Sequence, residues 1–167
     1  MRMSLGMIAL FLFTTAAQAQ VPTAGNVFFG YSYLDAGAPG GGGGRQNLNG
    51  WAASFEGKVL PWVGMVGDFS GHYGGAALRE HNYLFGPRIS FSVGKFRPFA
   101  QAMFGAGHVT APPLGSSTSF ATALGGGLDY RLLRLLAWRM QFDYVHTRFF
   151  GGKQNDARVS TGLVLRF

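Results

Sequence analysis

Residues 157–167 read A-R-V-S-T-G-L-V-L-R-F, and their side chains alternate in character. Val159, Thr161, Leu163, Leu165 and Phe167 fall on one face; Arg158, Ser160, Gly162, Val164 and Arg166 fall on the other. A period of two is that of a β-strand. In a water-soluble protein the arginines would face water, and the apolar face would need a second layer over it. An apolar-out, polar-in strand of about ten residues fits a transmembrane β-barrel, where lipid covers the outer face.

Composition agrees. Hydrophobic residues make up 47% of the 167-residue chain and charged residues only 13%, against about a quarter in ordinary soluble domains. The absence of cysteine excludes disulfides and thiolate metal sites. A net charge of +7 would suit nucleic acid, but the basic residues come singly along the chain rather than in a cluster. No nucleic-acid partner is expected.

Residues 1–19 have the build of a signal peptide: Arg2, an apolar stretch over 5–13, and Ala17-Gln18-Ala19 as a small-x-small cleavage site. Cleavage after Ala19 would leave 20–167 as one barrel domain. No later segment approaches the eighteen or so apolar residues of a spanning helix, so any membrane crossing must be made by strands.

Strands are predicted over 26–34, 49–59, 62–73, 82–93, 96–109, 119–130, 137–147 and 157–167. Residues 131–136 (R-L-L-R-L-L) are compatible with one helical turn. The connections alternate, with longer loops over 35–48, 74–80, 110–118 and 149–156 and short turns between. That is the asymmetry of an outer-membrane barrel, with short periplasmic turns and longer extracellular loops. Pro87 inside the fourth strand cannot donate to the ladder, so a bulge or break is predicted at Gly86-Pro87. The glycine run 40–44 lacks the Lys and hydroxyl of a phosphate loop and reads as flexible linker.

In this register Glu56, Lys58, Asp68, Arg88, Arg97, Asp129, Arg139, Asp143, Arg158 and Arg166 all turn inward. A single Lys or Arg on the lipid face near the midplane costs about 2–4 kcal/mol, so ten misplaced charges would exceed any folding free energy. Aromatic residues fall into two belts. Tyr31, Trp51, Tyr73, Tyr83 and Tyr144 form the outer one; Trp62, Phe96, Tyr130, Trp138 and Phe167 form the inner one. The fold class expected is all-β: an eight-stranded antiparallel up-and-down transmembrane barrel, with both ends of the mature chain on the periplasmic side.

The segments G-G-G-L-D-Y (125–130), W-R-M-Q-F-D-Y (138–144) and R-V-S-T-G-L-V-L-R-F (158–167) resemble the OmpA/OmpX-type small outer-membrane β-barrel family. The resemblance implies residence in the outer membrane of a Gram-negative-type bacterium and contact with its lipid and lipopolysaccharide. It also implies recognition of the last strand, with Phe167 as insertion signal, by the barrel assembly machinery. A monomer is expected. The peptidoglycan-binding domain of larger members is not, since the sequence stops at the eighth strand.

An eight-stranded barrel is only wide enough for its own side chains, and buried charges must pair to offset desolvation. The inward charges therefore read as a salt-bridged plug. The sharper alternative is a small gated channel with Glu56, Arg88, Arg139 and Asp143 as switchable partners. His72, His81, His108 and His146 sit at outer strand ends or in outer loops. They lack the in-strand spacing of a metal site, and no metal or other cofactor is expected.

Some small outer-membrane barrels resemble lipid A deacylases or palmitoyl transferases, and here His108-Val109-Thr110 and His146-Thr147 place a base near a hydroxyl. Ser116, Ser117 and Ser119 are the nearby serines, without a carboxylate to orient an imidazole. No enzyme is expected. A soluble lipocalin-like binder would need its charged face outside and would leave the belts and Phe167 unexplained.

Overall fold

The computed structural model describes residues 24–37, 44–75, 78–112, 115–149 and 152–167. Residues 1–19, read above as a signal peptide, and the glycine run lie outside them, apart from Gly44. Eight strands follow in order: β1 (Gly25–Gly37), β2 (Arg45–Lys58), β3 (Val63–Tyr73), β4 (Arg79–Ser90), β5 (Phe96–Ala111), β6 (Gly115–Arg131), β7 (Leu136–Phe149) and β8 (Gly152–Arg166). Each pairs antiparallel with its neighbours, and β1 pairs with β8, so the sheet closes into a barrel. Closure removes the free edges that would otherwise expose unpaired backbone groups.

Alternation of burial runs along the strands. In β4, Tyr83, Phe85 and Ile89 are exposed while Asn82, Leu84, Arg88 and Ser90 are buried. The exterior is correspondingly apolar from Tyr31 and Trp51 at one end to Trp138 and Phe167 at the other. Gly25 and Phe167 exchange backbone hydrogen bonds of 2.9 and 3.1 Å, which places both ends of the described chain at one end of the barrel, the inner end. Phe96 and Tyr130 face each other across β5 and β6, with rings 5.2 Å apart, in the inner belt. Tyr31 and Trp51 are register partners in the outer belt.

Strand boundaries differ from prediction mainly at the outer end. Residues 35–37 and 45–48 belong to β1 and β2, and the predicted loop 110–118 is largely a hairpin in which Ala111 pairs with Gly115. Residues 152–156, predicted as loop, open β8, and β4 starts at Arg79 rather than at 82. The long excursions beyond the outer belt are thus made of paired strand. Cross-strand hydrogen bonds carry on past the aromatic belt wherever the residues still suit a pleated ribbon.

Residues 132–135 form a bend, not a helical turn, held by Leu132 and Leu133 donating to the Leu136 carbonyl. At Gly86-Pro87 pairing with β5 lapses between Phe85↔Phe104 and Arg88↔Gln101, while pairing with β3 continues. The register stays in step across the gap. The break predicted from Pro87 is present on one side, without a bulge.

Inside, three apolar clusters stack along the axis. Phe28, Ala52, Ala137 and Val164 lie innermost; Val66, Leu84, Met103, Ala121, Ala123 and Val145 follow; Leu34, Ala36, Leu48, Leu78, Val109 and Ala111 lie outermost. The polar side chains described next fill the space around and between them.

Candidate functional site: the lumenal charge network

All ten inward charges of the sequence reading face the lumen, and each takes part in an ion pair. They sort into two groups. In the inner group Glu56 accepts from three cations: Lys58 at 2.9 Å, Arg88 at 3.1 Å and Arg97 at 3.3 Å. Asn26, opposite Glu56 across β1 and β2, donates a further hydrogen bond of 2.8 Å to the same carboxylate. Asp129 takes both Nε (2.6 Å) and Nη2 (3.0 Å) of Arg139, a bidentate pair, and Arg166 at 3.3 Å. Arg139 also lies over Phe28 and Phe99, and Arg88 over Phe99. These guanidinium planes use aromatic faces where carboxylates run out.

In the outer group Arg158 is wholly buried and spans two carboxylates, Asp68 at 2.6 Å and Asp143 at 2.8 Å, with Ser70 accepting at 3.0 Å. Strands β3 and β7 are not neighbours, so this one side chain ties opposite walls across the lumen. Gln101 joins the groups: its oxygen accepts from Arg88, and its amide donates to Asp143 at 2.6 Å. The network runs unbroken from Glu56 to Asp68 through four side chains, Arg88, Gln101, Asp143 and Arg158.

The four residues read as switchable gate partners lie in this one network but are not paired with one another throughout. Glu56 pairs with Arg88, but Arg139 pairs with Asp129 and Asp143 with Arg158. Within a strand the spacing shows which residues point inward; only the stagger of neighbouring strands decides which of them meet.

Among the described residues, three buried titratable side chains escaped the sequence reading. Glu80 and Asp156 fell in predicted loops, and His72 was placed on the rim; all are fully or almost fully buried. His72 Nε2 lies 2.8 Å from Ser32 Oγ. Glu80 accepts from Asn82 at 2.9 Å, and Asp156 accepts from the Gly37 amide at 2.7 Å. Extending the period-two parity of Asn82 and Arg158 outward along their strands would have found both carboxylates. Glu80 lies beyond the outer belt residue Tyr83 on β4, and Asp156 lies on β8 beyond Ala157, the register partner of Tyr144; among the described residues neither has a cationic partner within ion-pair distance. Burial, with the other carboxylate nearby, pushes Glu80 up to about 7. Burial likewise pushes Asp156 up to about 6.

The outer histidines show why in-strand spacing was uninformative: His81 and His108 are register partners on the outer face of β4 and β5. His108 Nδ1 sits 2.7 Å from Thr118 Oγ1 and His146 Nδ1 sits 2.6 Å from Asn155 Oδ1, and among the described residues neither has a carboxylate hydrogen-bonded to it. Among the described residues no group of three His, Asp or Glu side chains could hold a metal ion.

No protein-family model and no curated protein matches the chain. Solved structures do. Neisserial surface protein A superposes with a TM-score of 0.73 at 11% identity, over 86% of this chain and 99% of that one. Ail, the attachment invasion locus protein of Yersinia pestis, gives 0.61 at 16% identity, over 86% and 98%. The N-terminal β-barrel domain of Pseudomonas aeruginosa OprF gives 0.59 at 14% identity, over 86% and 99%. At such identities the likeness concerns the fold, and the fold of this chain is that of the small eight-stranded outer-membrane β-barrels.

Proposed function

We propose that the protein is a monomeric integral outer-membrane barrel that carries out no chemistry, with a lumen sealed by its own side chains. Its contacts with surfaces or partners are made through the strand hairpins that project beyond the outer belt, and with lipid and lipopolysaccharide through the apolar wall. The barrel assembly machinery would receive it through β8, whose Phe167 ring stacks on Phe55 with centroids 6.1 Å apart. The observation that carries the sealed lumen is Arg158, buried between Asp68 and Asp143 from two non-adjacent strands. An ion or solute passing through would have to displace a doubly paired guanidinium, and leaving buried charges unpaired costs several kcal/mol.

The test is conductance of the refolded 20–167 chain in a planar bilayer. Silence is expected. Stepwise conductance from the unaltered protein would replace this reading with that of a small gated channel. Membrane residence is checked separately: the folded barrel should need detergent for extraction and run faster on a gel unheated than boiled.

A further inference from the structure

The inner mouth of the barrel is an open vestibule of about 460 Å³, lined on its lumenal side by Lys58, Arg97, Arg166 and Ser92 and at its rim by Leu60 and Phe167. Charge there is unbalanced. In the inner group Lys58, Arg88, Arg97, Arg139 and Arg166 share two carboxylates, Glu56 and Asp129. The neighbouring turns and strand ends add Lys95, Arg131 and Arg134 and, apart from the α-carboxylate of Phe167, no acid among the described residues. The outer lumen has the opposite bias, with Asp68, Glu80, Asp143 and Asp156 around Arg158, the single buried cation there among the described residues.

The three vestibule cations also keep unused donors. Arg97 engages Glu56 and Ser90 through Nε and Nη2, leaving Nη1. Arg166 uses Nη2 alone, and its buried Nε has no partner. Lys58 spends two of its three donors, on Glu56 and Ser90. Their side chains remain 12–19% accessible, unlike Arg88 and Arg139 deeper in.

We propose that this vestibule binds a phosphate group, presented from the inner side of the membrane. Two forked guanidinium groups and an ammonium at the mouth of one cavity suit a tetrahedral oxyanion with several acceptor oxygens. An oxyanion there offsets an excess of positive charge that the two carboxylates leave over. The rim residues Leu60 and Phe167 open toward the lipid side, so the phosphate can belong either to a free solute or to an inner-leaflet phospholipid headgroup.

The experiment follows backbone amide signals of isotope-labelled protein in phosphate-free maltoside micelles. It is titrated in turn with pyrophosphate, with phosphatidylglycerol, and with chloride at matched ionic strength. Expected are saturable shifts confined to the segments around Lys58, Arg97 and Arg166, weakened at least tenfold in the Arg97→Gln/Arg166→Gln double variant. Saturation by pyrophosphate assigns a soluble phosphate; saturation by phosphatidylglycerol alone assigns the lipid headgroup. Shifts that merely track chloride, or that survive unchanged in the double variant, overturn the proposal. If that variant does not show heat-modifiable gel mobility, Lys58→Gln takes its place with the same two outcomes.

Discussion

The residue on which most depends is Arg158. Its guanidinium answers two buried carboxylates, so truncation removes one charge and strands two. Arg158→Met should lower the unfolding free energy in lipid vesicles by about 3–5 kcal/mol, read from the urea midpoint. Arg166→Gln, whose side chain is 19% accessible and makes one 3.3 Å contact, should cost less than about 1 kcal/mol. Near-equal losses would mean that the crossing in the lumen contributes no more than a rim contact.

Glu80 makes the opposite case, a buried carboxylate with no ion-paired cation among the described residues. Its proton affinity is higher folded than unfolded, so the folded state binds the proton more tightly between its ordinary range and about 7. Stability from this group is therefore present in acid and is lost as pH rises through 7; Asp156 adds the same sign up to about 6. Glu80→Gln should raise stability at pH 8 by about 3 kcal/mol, with little effect at pH 4. Hydrogen exchange of the outer ends of β4 and β8 at the two pH values is the measurement, and an unchanged pH profile in Glu80→Gln would refute the assignment.

At the scale of the element, each strand is specified by parity. Phe142 lies between Trp138 of the inner belt and Tyr144 of the outer one and is 53% exposed to the exterior. Phe142→Arg should cost about 2–4 kcal/mol in vesicle unfolding, as for any midplane cation on the lipid face. Arginine at Tyr144, at the outer belt, should cost much less, since a long side chain there can snorkel to the interface. The same parity explains what happened at the outer ends. Burial alternates past the belt in β1, β5 and β8, and the strands continue as hairpins because inward Leu34, Val109 and Ala111 still have an apolar cluster to join. Within the loops predicted over 35–48 and 110–118, residues 35–37 pair with 45–47 and residues 110–111 with 115–116, so cross-strand pairing extends the strands past the predicted bounds.

At the scale of the whole molecule, closure is decided at the seam between β1 and β8. Gly30 sits opposite Gly162 there, and a side-chain carbon at position 30 would run into the Thr161 carbonyl and the Gly162 backbone. Gly30→Leu should therefore prevent β8 from docking on β1. The expected result is loss of the fast-migrating unheated gel band, whereas Gly75→Leu, where nothing lies within 4 Å, should keep it. Charge is also arranged at this scale: the lumen is biased positive at the inner end and negative at the outer, a polarity that belongs to no single strand.

Much of this was decided by the sequence alone. Period-two alternation placed Glu56, Arg88, Asp129, Arg158 and the rest in the lumen and the aromatic belts outside, because in a strand parity is a local property and each charge on the lipid face is prohibitively costly. Pro87 announced a lapse in the ladder for an equally local reason, its missing N–H. What parity does not contain is stagger. The pairing of Arg139 with Asp129 rather than Asp143, the crossing of Arg158 to Asp68, and the meeting of His81 with His108 depend on how far each strand slides along its neighbour. That displacement is set by the closed ladder of all eight strands together, and only the tertiary structure decides it.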